Sequence, residues 1–250
     1  MSEVIRKSIT LLTAIKPNEE KEEWSATEIS RKLNIPVQTV HRLLVSLEEY
    51  GFVFQNKETK KFRLGLTLLQ LGLSIRDNLP VRNSSLPVMK KLWDQTRENV
   101  YLTVPEGDEG VLIDCINSQQ SLKDAAPIGL RFPLCVGASK KVILAYMNTG
   151  VKQRILKGLM EKGEIKDLKN LEEDLVIIQK CGVAISFGEI KEKNVSVASP
   201  IFSWEDKVVA SISVMIPDTR FTGSRIRDII GFTQRAAEEI SEELGWIKRR

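Results

Sequence analysis

Gln38, Arg42 and Val45 recur at helical spacing in a stretch otherwise rich in aliphatic residues, with Thr39 and His41 beside them. An amide, a guanidinium and an apolar group presented from one helix face can read base edges. Glutamine pairs bidentately with adenine, arginine with guanine, and an apolar side chain touches the thymine methyl. The same residues also suit the solvated face of an ordinary helical hairpin, so the surrounding elements have to decide.

Val40, Leu43, Leu44 and Leu47 occupy the opposite face of that helix. Upstream, Ser25 and Glu28 form a capping box that opens a shorter helix with Ile29 and Leu33 as its apolar positions. Asn34-Ile35-Pro36 breaks this helix and starts the next, with Pro36 suited to a first helical turn, and Gly51 follows the second helix as its terminator. Two helices joined in this way predict a helix-turn-helix. Phe52-Val53-Phe54, the polar run Gln55 to Lys60 and Lys61-Phe62-Arg63-Leu64 predict a β-hairpin with a charged tip, the wing of a winged helix. From it Lys57, Lys60, Lys61 and Arg63 could reach phosphates, which adds affinity and register but no sequence information. Any one of these lysines also suits a charged surface turn. Residues 1–65 carry eleven Lys/Arg against nine Asp/Glu, so local placement rather than net charge must attract DNA. The acidic run Glu19, Glu20, Glu22, Glu23 reads as a solvated loop facing away from phosphates.

Leu66 to Asn78 predicts a helix that is apolar on two sides, with Leu66, Leu69 and Leu73 on one and Leu68, Leu71 and Ile75 on the other. One side is expected against its own winged helix. The other suits a second subunit, since helix-turn-helix proteins commonly read two half-sites as symmetric dimers; the rest of the same chain is the alternative. Beyond Leu79-Pro80 the pattern turns to α+β. Helices are predicted at Leu86–Glu98, Ala138–Met147, Val151–Glu161, Leu171–Lys180 and Ser224–Leu244, and strands at Val100–Val104, Val111–Ile116, Val183–Phe187, Val195–Phe202 and Val208–Ile216.

Several function classes recede on composition. The one histidine, His41, lies in the helical hairpin, which leaves the second half without the usual base for Ser or Cys nucleophiles. No metal-ligand spacing or Gly-rich phosphate loop is present, so no cofactor or metal is expected. Cys115, Cys135 and Cys181 are odd in number and far apart, which argues against a disulfide framework. The net charge is a modest +4, and no segment reads as a membrane span or signal peptide, so a cytoplasmic protein with no membrane partner is expected. A binding module fits better than an enzyme. The helix start at Gly137-Ala138 presents N–H donors suited to an anion. On the last two strands Ser196 and Ala198, and Val209, Ser211, Ser213 and Met215, share faces that are either solvent-facing or pocket-lining.

Ile9-Thr10-Leu11-Leu12, Ala26 to Leu33, Ile35 to Leu44, Leu47 to Val53 and Phe62-Arg63-Leu64-Gly65 together resemble the IclR family of transcriptional regulators. The resemblance continues through Gly129 to Leu134, Gly137 to Lys141, Gly182-Val183-Ala184 and Ala198 to Phe202. It implies a winged helix-turn-helix over residues 1–65, a linker helix over 66–79 where subunits associate, and a GAF-like effector-binding domain with an antiparallel sheet over 80–250. It also implies an effector pocket at Gly137, Ala138, Ser186, Ser196, Ser213 and Met215. Family members often carry Asp at the Ser186 position, Cys at Ser196 and Ser at Met215; these departures point to an effector less hydrated than a small keto-acid, an aromatic metabolite or a longer organic acid. The expected protein is a homodimer or homotetramer on double-stranded operator DNA, with repression slightly favoured over activation. A metabolite-handling enzyme and a constitutive DNA-binding protein without ligand are the alternatives.

Overall fold

The computed structural model describes residues 2–18, 20–118 and 126–248, which leaves Glu19 of the acidic run outside the described residues. The chain divides into two compact units, Met1–Asn78 and Leu79–Arg250.

In the first unit α1 (Glu3–Ala14), α2 (Ala26–Leu33) and α3 (Val37–Glu49) precede β1 (Val53–Gln55), β2 (Phe62–Leu64) and α4 (Thr67–Asp77). The capping box is present: the Glu28 N–H donates to Ser25 Oγ at 3.2 Å, and the Ser25 N–H donates to the Glu28 carboxylate at 2.8 Å. α2 stops at Asn34, whose φ of 54° is the left-handed conformation that a short polar side chain tolerates. Pro36 is the cap of α3 rather than part of its first turn, a place where its missing N–H costs nothing. Leu11, Ile15, Ile29, Val40, Leu43, Leu44, Val53 and Phe62 form the core. At about 1.5–3 kcal/mol for each fully buried side chain, this cluster holds α3 against α2. Gly65 allows the chain to pass close to itself, since a Cβ there would fall 1.9 Å from the Gly51 carbonyl oxygen.

One expectation is corrected here. No residue of α4 is buried, and Leu66 and Leu69, assigned to the winged helix from their spacing, are 72% and 57% exposed. The core of this unit, with Val53 and Phe62 of the wing in it, contains no residue of α4.

The second unit contains α5 (Pro80–Thr96), β3 (Asn99–Glu106), β4 (Glu109–Ile116), β5 (Arg131–Pro133), α6 (Ala138–Tyr146), α7 (Thr149–Glu161), α8 (Leu168–Cys181), β6 (Ala184–Phe187), β7 (Asn194–Phe202), β8 (Val208–Pro217) and α9 (Ser224–Glu243). The strands form one antiparallel sheet in the order β5-β4-β3-β8-β7-β6. Val197, Ile212, Val214 and Ile216 pack with Met89 and Leu92 of α5 and Ile229 and Ile240 of α9. Ala184 and Ala198 join the core of α6, α7 and α8. The architecture is the α+β one expected.

Its boundaries differ where local chemistry was overlooked. α5 begins at Pro80 rather than Leu86 because proline suits a first helical position, and it accommodates Pro87 within its length. α7 and α8 begin earlier than predicted because Asn148 and Asp167 cap them, accepting from the Gly150 and Asn170 N–H groups at 3.0 Å each. β5 was not expected at all; it exists through its pairing with β4, where Gly110 faces Phe132. Three ion pairs join elements of this unit. The buried Glu98 carboxylate accepts from Arg220 at 2.5 Å and Arg225 at 2.7 Å, and Arg82 of α5 meets Asp114 of β4 at 2.6 Å. Among the described residues no helix is long and apolar enough to cross a membrane.

Candidate functional site

α3 exposes Gln38, His41, Arg42 and Val45, with Thr39 half-buried beside them, above the buried Val40, Leu43 and Leu44. The row is rigid because its own helix is pinned from behind by that core. Val37, missed in the sequence reading, adds a second exposed apolar group at the first turn. His41 stands edge-on to Phe62 with ring centroids 6.4 Å apart, which places it where the helix meets the wing. Lys57, Lys60 and Lys61 are exposed on the wing. Arg63 is half-buried, its guanidinium 4.4 Å over the Phe54 ring.

The wing is held from a distance that the sequence did not advertise. Asn56 Oδ1 accepts from the Glu58 and Thr59 N–H groups at 2.9 and 3.2 Å and shapes the tip. The Glu23 carboxylate accepts from Asn56 Nδ2 at 3.0 Å and from Thr59 Oγ1 at 2.9 Å, and these bonds hold its carboxyl below the usual range. Trp24 and Phe62 exchange backbone hydrogen bonds of 2.8 and 2.7 Å, adding a third extended segment to the hairpin. The acidic run is therefore not simply a solvated loop: Glu23 anchors the wing. Lys21 pairs with Glu28 at 2.6 Å, and that bond, with those from Ser25, lowers the Glu28 carboxyl to about 2.

In the second unit the start of α6 is already occupied. The Gly137 N–H, with φ at 77°, donates to the Glu189 carboxylate at 2.9 Å, and the Ala138 N–H donates to Ser186 Oγ at 3.0 Å. Lys141 Nζ reaches the other Glu189 oxygen at 2.9 Å. The donors expected to meet an anion are thus capped from within the chain. A Cβ on Gly137 would come within 2.9 Å of Ile190 Cγ1, so this residue seals the turn.

Beside it lies a cavity of about 40 Å³ that brings together Ala138, Ser196, Ser213 and Met215 of the expected set. The register of β7 with β8 sets Ser196 against Met215 and Ala198 against Ser213, and that of β3 with β8 sets Tyr101 against Ser213. Ser186 lines an adjoining crevice with Ser196 and Met215, and Gly137 lines neither space. The cavity also takes in Tyr101, Thr103, Ser139 and Lys140, which the sequence reading missed. Tyr101 and Thr103 are two apart on one strand and Lys140 lies three positions after Gly137, spacings that were available as signals. Lys140 is pushed down to about 8 by burial, with the Glu189 charge acting in the opposite direction, and its Nζ lies 5.1 Å from the Phe132 ring centroid. A larger open groove, of about 630 Å³, is lined by Tyr146, Phe202 and Trp246 and holds none of the expected residues. Among the described residues no cluster of His, Cys, Asp and Glu is placed to hold a metal ion.

Comparison with known proteins agrees with both halves. Residues 4–57 match the IclR helix-turn-helix domain, and residues 74–242 match the bacterial transcriptional regulator IclR C-terminal domain. The HTH-type transcriptional regulator KipR of Bacillus subtilis is 29% identical over 231 residues, covering 90% of this chain and 92% of its own. The crystal structure of the Thermotoga maritima IclR superposes with a TM-score of 0.79 at 28% identity, over 97% of this chain and 98% of that one. An IclR homolog from Microbacterium hydrocarbonoxydans, complexed with 4-hydroxybenzoate, shares the fold with a TM-score of 0.79 at 23% identity, over 97% and 99%. The named relatives are regulators, which sets the enzyme alternative aside. With both of its units matched in order, the chain belongs to the IclR family of bacterial transcriptional regulators.

Proposed function

We propose that this regulator is a cytoplasmic homodimer or homotetramer that represses transcription from a two-half-site operator and is controlled by a small organic acid or aromatic metabolite bound in its second unit. The observation that carries the DNA-reading assignment is the exposed row Gln38, Arg42 and Val45 on a helix pinned by Val40, Leu43 and Leu44. Lys57 and Lys61 supply phosphate contacts, and Thr39 and His41 flank the reading row. Leu68, Leu71 and Ile75 of α4 supply the subunit contact; Leu71 and Ile75 are 48% and 68% exposed, and α4 buries nothing of its own. Repression needs only occupancy of the operator, whereas activation needs a further contact with the polymerase, so repression is the simpler sign.

Regulation follows from linkage. An effector that binds one arrangement of the two reading heads better than another changes operator affinity by its differential binding energy and no more. The cavity at Ala138, Ser196, Ser213 and Met215, with Ser186 in the adjoining crevice, supports the site, and the relative holding 4-hydroxybenzoate supports an acid of that size. A volume of about 40 Å³ holds little more than a water molecule, which favours a second reading: a constitutive DNA-binding protein without effector. Genomic footprinting followed by operator titration against metabolites of the adjacent genes tests both. Release of the operator by one such metabolite is the expected result. Specific footprints that no metabolite alters would favour the constitutive reading, and the lack of any specific footprint would overturn the operator assignment.

A further inference from the structure

The chemistry of the cavity wall narrows the effector class, on the reading that the cavity is the effector site. We propose that Lys140 receives the acid group of the effector, so that this regulator recognises a monoanion by a lysine ammonium rather than by the N-terminus of α6. Three observations lead there. The Gly137 and Ala138 N–H groups are taken by Glu189 and Ser186. Glu189 also sets a negative charge at that helix start, which repels an incoming carboxylate. Of the neighbouring lysines, Lys141 is already paired with Glu189 at 2.9 Å and Asp174 at 3.6 Å.

Lys140 is the one charged side chain among the described residues that line the cavity. It is half-buried and has no hydrogen bond or ion pair with any described residue; the face of Phe132 is its near neighbour, and Glu189 acts on it only as a more distant charge. A buried cation without an anionic partner is costly, and an arriving carboxylate recovers that cost. That gain supplies affinity, and it regulates operator binding by the amount it differs between the two arrangements of the reading heads. Ser139, Ser196 and Ser213 offer hydroxyls to the second carboxylate oxygen or to a ring substituent, and Leu112, Phe132 and Met215 offer an apolar bed for the carbon skeleton. Ile190, which lies against Gly137, forms part of the cavity wall.

The test uses the full chain in thermal unfolding, titrated with benzoate, 4-hydroxybenzoate, phenylacetate and short 2-oxo acids, each beside its primary amide. A binder raises apparent stability by mass action. The expected result is that at least one acid stabilises the wild type and its amide does not. Lys140→Met should then weaken that acid at least tenfold, as expected for a lost hydrogen bond to a charged group, while Lys140→Arg keeps the preference for acid over amide. Equal binding of an acid by wild type and Lys140→Met overturns the proposal and leaves the effector reading standing, as does a wild type that takes amides as well as acids. No stabilisation by any acid or amide counts against both. Should the variants fail to fold, the wild-type lysine Nζ resonances carry the test: a binding acid that shifts none of them overturns the assignment.

Discussion

The proposed reading row of α3 and the wall of the proposed sensor cavity are opposite solutions to the problem of recognition. Gln38, Arg42 and Val45 stand in solvent on a helix whose other face buries Val40, Leu43 and Leu44. Ser186, Ser196 and Ser213 are buried, and the helix donors beside them are satisfied by Ser186 and Glu189. A surface that reads a large, rigid partner can leave its polar groups to water until contact. An enclosed site has no water to spare and must balance its groups internally while empty, since an unpaired buried polar group costs free energy. Lys140 is the exception in the second region: the cavity carries a charge that it does not itself neutralise.

The contrast is open to direct attack. If Leu68, Leu71 and Ile75 join two subunits, Leu71→Glu should leave each winged helix folded but lower affinity for a two-half-site operator by about 10²–10⁴-fold, the gain normally obtained by linking two binding modules. Sedimentation would show smaller particles, and wild-type mass with wild-type affinity would place that face elsewhere. Arg42→Ala should cost about 1–3 kcal/mol of operator binding and relax preference at one base position in each half-site. A selection from a randomised site library that returns the wild-type motif would remove α3 as the reader. In the sensor, Ser213→Phe should overfill the cavity, cost about 1–3 kcal/mol of stability, and leave operator binding unresponsive to effector. An unchanged effector concentration for release would put the pocket elsewhere.

The smallest effects come from pH; stability rises with pH in both units, in the acid range for one and the alkaline range for the other. Glu28 has a folded value of about 2 against an ordinary 4.5, so its contribution is present above 4.5 and is lost as pH falls toward 2. Its carboxylate is more than a third exposed and screened, so Glu28→Gln should flatten the acid limb of the stability curve by no more than about 1 kcal/mol. Lys140, faced by Glu189 and Tyr101, has a folded value of about 8 against 10.5. Below 8 the penalty for its buried charge is complete, and stability rises as pH climbs from 8 toward 10.5. Lys140→Met should remove that rise, which difference curves of thermal unfolding against pH would detect.

The exposure of Gln38, Arg42 and Val45 was legible because one helix carries them, and a period of 3.6 separates Val40, Leu43 and Leu44 from Gln38 and Arg42 without any tertiary knowledge. The capping box at Ser25 and Glu28 was legible for the same reason, since both partners lie within one turn. The cavity was only half legible. Ser196, Ser213 and Met215 alternate on recognisable strands, but Tyr101, Thr103 and Lys140 reach the same space from a different strand and a helix, and pairing register cannot be read from either alone. Pro87 reads as a helix breaker and so hid the first turns of α5. Glu23 was overlooked because its partners, Asn56 and Thr59, lie 33 and 36 positions away.

Those separations also order events in time. α2 and α3 meet through a short turn, so their hairpin closes with little loss of chain entropy. The wing reaches its final angle only after a segment preceding α2 has returned across more than thirty positions to Asn56 and Thr59. Docking of the wing is accordingly a late step in folding and an early one in local opening, and the amides of Trp24 and Phe62 should exchange with deuterium ahead of those in the middle of α3. A regulator built this way settles α3 first and its wing last.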